Sequence, residues 1–84
     1  MPTVFIHKGY RFFFYAADLD EPMHVHVEKS GKHAKFWLQP IRIALNGGFR
    51  EHELNEIERI INRRSDDIST RWQEEQSKRE NRQS

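Results

Sequence analysis

The sequence predicts an α+β domain, a mostly antiparallel sheet of four to five strands followed by two C-terminal helices packed on one face. Three observations lead there. Every aromatic residue except Trp72 falls at or before Phe49, in segments rich in β-branched and aromatic side chains. After Phe49 the apolar residues thin to Leu54, Ile57, Ile60, Ile61, Ile68 and Trp72, spaced as one face of a helix within charged sequence. A chain of 84 residues holds one core and no second. Residues 1–76 therefore read as a single domain. From Gln73 onward "QEEQSKRENRQS" has no apolar residue, so fraying is expected there and a disordered polar tail over 77–84.

The elements follow in order. "TVFIHKGYRFFFY" is a hairpin with Lys8-Gly9 as its loop, because glycine accepts the positive φ of a tight turn; His7 then opposes Tyr10 and Phe5 opposes Phe12. One face carries Phe5, His7, Tyr10, Phe12 and Phe14, and the other Val4, Ile6, Arg11, Phe13 and Tyr15. "DLDEP" reads as a polar connection, and Pro22 sends the chain out extended. In "EPMHVHVEKSGKHAKFWLQP" the loop Ser30-Gly31 sets Glu28 opposite His33, His26 opposite Lys35 and His24 opposite Trp37. Val25, Val27, Ala34, Phe36 and Leu38 form an entirely apolar face. A slip of one residue would drive histidine and lysine into the core, which pins the register.

Pro40 ends or edges the fourth strand, and "IRIALN" adds a short fifth. A helix begins near Arg50 or Glu51 with Leu54, Ile57 and Ile61 as its stripe. Arg63 and Arg64 suit its C-terminus, and Ser65 followed by Asp66 and Asp67 suits a fresh N-cap, so a break is expected near Arg64; one bent helix is the alternative. So few apolar residues cover one sheet face only. That face is the Val25, Val27, Phe36 and Leu38 side, continued by Phe5, Phe12 and Phe14. The opposite face, with Phe13, Tyr15, Trp37, Arg11, Lys35, His24 and His26, is expected to stay uncovered, and an apolar patch of that kind marks a contact surface.

Composition excludes several classes. Cysteine is absent, which rules out disulfides and thiolate metal sites and fits a reducing cytoplasm. No apolar run has the length of a bilayer span, and the start lacks the order of a signal peptide, so a soluble cytoplasmic protein without membrane contact is expected. A net charge of +1 gives RNA binding no support from charge. No cofactor follows from the sequence.

"GYRFFFY", "EPMHVHVE", "AKFWLQP", "GGF" followed by "EL", and a late Trp72 together resemble the small bacterial domain-of-unknown-function 4160 family, from about Pro2 to about Gln76. The resemblance implies a partner, a second small protein encoded by a neighbouring gene, in a toxin–antitoxin-like pair. It implies no activity. Relatives often carry serine where this chain has Arg50, so the capping box with Glu53 is expected to be missing here.

Three functional readings compete for the histidine face. A protein-binding surface, for the neighbouring gene's product or a second copy of the chain, would use Phe13, Tyr15, Trp37 and Arg11 as anchors. A metal-independent RNase would use His24 and His26 as acid and base and Lys35 and Arg11 as the cations facing phosphate, with Trp37 or Tyr15 stacking a base. A metal site would use His24 and His26 with Glu28 or His33 as third ligand, although Lys35 opposite His26 would repel a cation. The plain alternative is that the histidines merely solvate a sheet. His7 beside a turn and His52 in a first helical turn read as surface residues, and Trp72 as core.

Overall fold

The computed structural model describes residues 3–83, with side chains over 3–78. Five strands, β1 (Thr3–His7), β2 (Tyr10–Phe13), β3 (His24–Lys29), β4 (Lys32–Leu38) and β5 (Ile41–Gly47), form one antiparallel sheet in chain order. Two helices follow, α1 (Glu51–Arg63) and α2 (Ser65–Gln83). Both tight turns have the expected chemistry. Lys8 and Gly9 have φ of 52° and 82°, and Ser30 and Gly31 have 51° and 79°, the paired positive values that match the twist of adjoining strands. The registers set by these turns are those expected, with His7 opposite Tyr10, His24 opposite Trp37, His26 opposite Lys35 and Glu28 opposite His33.

The helices pack on the expected face. Ile57, Ile60, Ile61 and Ile68 close over Phe12, Val25, Val27, Ala34, Phe36 and Leu38, with Tyr10 and Phe49 at one end. One assignment changes. The register of β1 shifts between Thr3 and Phe5, so Thr3 lies by Arg11 while Val4 packs with Phe5 against the core instead of joining Ile6 and Arg11.

Helix α1 begins at Glu51 with Arg50 as its N-cap. Half of the capping box survives, because the Glu53 carboxylate accepts the Arg50 N–H at 3.0 Å while also pairing with Lys32. The break falls at Arg64, as expected, but the cap does not. The Arg64 carbonyl receives the first α2 bond from Ile68 N–H, and the Ser65 hydroxyl donates back to Asn62 O, so Arg64 closes α1 and opens α2 at once. Helix α2 continues through Gln83, into the stretch expected as a disordered tail; it has no glycine or proline, and Glu75 pairs with Arg71 and Lys78 along it. Ser84 lies outside the described residues.

A second small core forms where α2 passes the sheet end. Trp72 is buried against Phe14 and Leu19, and its ring centre lies 5.0 Å from that of Phe14. Leu19 belongs to a 3-10 turn, Ala16–Asp20, and its carbonyl accepts a hydrogen bond from Gln76 of α2 at 3.2 Å. The segment read as a polar connection is thus a packed element. Among the described residues no helix is long and apolar enough to cross a membrane.

Candidate functional site

The 3-10 turn is closed by one side chain. The Asp18 carboxylate accepts the Tyr15 N–H at 2.8 Å while Asp18 N–H returns a bond to Tyr15 O at 2.9 Å. This reciprocal pairing swings Asp18 over the helix-free face of the sheet, above the histidines that alternate along β3. His24 Nε2 lies 3.3 Å from Asp18 Oδ1, and His26 Nε2 lies 3.0 Å from Oδ2. Beyond His26, its Nδ1 meets His33 Nε2 at 2.9 Å, giving a continuous Asp18–His26–His33 chain across β3 and β4.

Rings seal this chain. Phe13 stacks on His26 at 5.4 Å with Arg11 above it at 4.3 Å, Tyr15 meets Phe13 edge-on, and His24 is held between Trp37 and Trp72, each 5.4 Å away. The expectation of an uncovered histidine face is therefore corrected in part. His24 is 0% and His26 8% exposed, and Phe13 is buried, because the 3-10 turn and Trp72 cover this end of the face, where no helix was expected. Burial also sets protonation. It lowers His26 from the usual imidazole range, helped by repulsion from His24 and His33 and opposed by Asp18. For Asp18 burial works upward, but the Tyr15 amide and the two histidines outweigh it and hold the carboxyl below the ordinary range.

The predicted residues sort into two groups. His24 and His26 enter the buried cluster, with Asp18 in the place foreseen for Glu28 or His33. Glu28 instead faces Arg11 at 3.8 Å, and half-buried His33 meets the cluster through His26 and the sealing ring of Phe13. Lys35 lies over the Trp37 ring at 4.5 Å and pairs with Glu21 at 3.4 Å, so its charge is drawn away from His26. Arg11 is held by Thr3, Glu28 and the face of Phe13. Both imidazoles foreseen as the acid and base of an RNase are thus buried, His24 fully.

Asp18 was missed because it sits in a run that reads as a loop. The available signals were a Tyr-x-x-Asp spacing, which allows a carboxylate to cap its own turn, and the six-residue separation from Asp18 to the first histidine of His-x-His.

A five-strand meander with helices on one side and a carboxylate–imidazole cluster sealed on the other defines a small α+β domain that buries one aspartate and two histidines away from its main core. The chain belongs to the family described as domain of unknown function DUF4160, whose model matches residues 9–73 and so spans Asp18, all three clustered histidines and Trp72. No curated protein and no solved structure matches it.

Proposed function

We propose that this chain is the protein-binding member of a two-protein, toxin–antitoxin-like bacterial module, and that it docks its partner on the helix-free face. The carrying observation is what that face leaves in solvent beyond the sealed cluster. Ile6, Tyr15 and Leu45 are 66%, 45% and 52% exposed, and the strand registers place Ile6 and Leu45 on this side at opposite edges of the sheet. Half-buried Trp37 lies between, with Lys35 over its ring and Arg42 opposite it on β5. Exposed large apolar side chains on a face that also carries cations and aromatic groups are the composition of a contact surface. An open groove of about 610 Å³ beside Trp37, bordered by Pro22, Met23, Pro40, Arg42 and Ile43, can receive a partner side chain.

The test is co-expression with the product of the adjacent gene, followed by purification and a binding titration. A stable complex weakened at least tenfold by Tyr15→Ala or Leu45→Asp, both outside the cores, supports the reading. If the two products pass separately through a sizing column, and the chain alone stays monomeric at high concentration, the face has no such role.

A further inference from the structure

Beneath the 3-10 turn a buried imidazole nitrogen and a carboxylate face each other without a hydrogen bond between them. The Pro22 carbonyl oxygen can only accept, so the contact at 2.9 Å places a proton on His24 Nδ1. With Nδ1 engaged in this way, Nε2 is the ring nitrogen left to face Asp18. His24 Nε2 lies 3.3 Å from Asp18 Oδ1, yet it is buried with no hydrogen-bond partner among the described residues. His26 brings a third donor atom to the same place, with Nε2 3.0 Å from Asp18 Oδ2, and the three ligand atoms lie within 4.8 Å of one another. Buried polar atoms converge in this way around something positive.

We propose that Asp18, His24 and His26 bind one first-row divalent metal ion, zinc being the simplest occupant. Two imidazoles and a carboxylate are the ligands such ions favour, whereas magnesium and calcium favour oxygen alone. Zinc bonds of about 2.0–2.2 Å hold neighbouring tetrahedral ligands about 3.3–3.6 Å apart, and the two imidazoles approach the carboxylate at 3.3 and 3.0 Å, one at each of its oxygens. The outer shell is in place as well. His24 Nδ1 is held by the Pro22 carbonyl and His26 Nδ1 by His33, and anchoring the far nitrogen is how a metal-binding imidazole is oriented. The cations of this face leave the position clear, Lys35 being engaged by Glu21 and Trp37, and Arg11 by Glu28 and Thr3. The ion's role is that of a staple. It ties the 3-10 turn to β3 in a chain that has no cysteine for a disulfide. This inference is independent of the docking reading.

The experiment uses untagged full-length protein, stripped with a chelator and titrated with zinc alone, and with cobalt as a spectroscopic substitute. One equivalent should bind, the melting temperature should rise with free zinc, and the cobalt form should absorb in the visible range as a low-coordinate site does. Asp18→Asn and His24→Asn should each lose that equivalent. Should either fail to fold, His33→Asn provides the check, because His33 is half-buried and acts only through His26; it should weaken binding about 10–100-fold in a folded protein. The proposal is overturned if wild-type protein takes up no zinc and melts identically with zinc and with chelator. Full-strength binding in a folded Asp18→Asn or His33→Asn variant overturns it equally, since the ion would then sit elsewhere, on surface residues such as His7 or His52.

Discussion

Phe36 and Trp37 are neighbours in β4 that point to opposite sides of the sheet, so truncating each tests what each side contributes. Phe36 is 2% exposed beneath α1, opposite Val25 and in the cluster with Ile57 and Ile61. Removing such a ring costs about 3–5 kcal/mol. A chain of 84 residues has roughly 4–13 kcal/mol of total stability, so Phe36→Ala removes about a fifth of it at the least and lowers the melting temperature by about 12 °C or more. Trp37 is half-buried and makes two specific contacts, a cation–π contact with Lys35 and an edge contact with His24. Their loss amounts to about 1–2 kcal/mol, and as an interface anchor Trp37 should cost about 2 kcal/mol or more of partner binding. The assay is urea denaturation of both variants at several protein concentrations, with a binding titration on the folded fraction. Equal destabilisation by the two substitutions in a monomer would refute the reasoning, because the helix-free face would then support the fold as much as the helix-covered one does.

Two further outcomes follow from single positions. Glu53 is held below the ordinary glutamate range first by the Arg50 N–H and then by Lys32, so its contribution is present above about pH 4.3 and lost as the pH falls through its lowered folded value; urea melts of Glu53→Gln across that window should show a smaller loss on acidification than wild type. A Cβ at Gly47 would sit 2.7 Å from the His33 carbonyl oxygen on the paired strand, and Gly47→Ala should lower stability by about 1–3 kcal/mol in the same denaturation assay.

The parts of the fold legible in the sequence are those decided locally. Lys8-Gly9 and Ser30-Gly31 determine two hairpins, and the penalty for turning His24, His26 and Lys35 inward decides the registers and the face that the helices cover. The site was legible only by half. His24 and His26 could be placed on one side of one strand by alternation, but Asp18 reaches them through a turn whose position depends on Gln76 and Trp72 of α2, more than fifty residues away in the chain. Alternation along a strand carries no information about such a contact. Val4 was misassigned for a related reason, since the shift between Thr3 and Phe5 breaks the period on which the reading depends. The Arg64 cap was obscured by Ser65, whose side chain suits a cap but whose hydroxyl turns back to Asn62.

Because the strands pair in chain order, each sheet contact closes over a short stretch of chain, and such local closures carry a small entropic cost. The sheet can therefore form hairpin by hairpin, with His24 and His26 already side by side. The 3-10 turn that carries Asp18 is held from its outer side by α2, through Gln76 and Trp72. A route to the buried imidazoles therefore runs past α2 and the turn it holds, and a local opening there would expose them while all five strands remain paired.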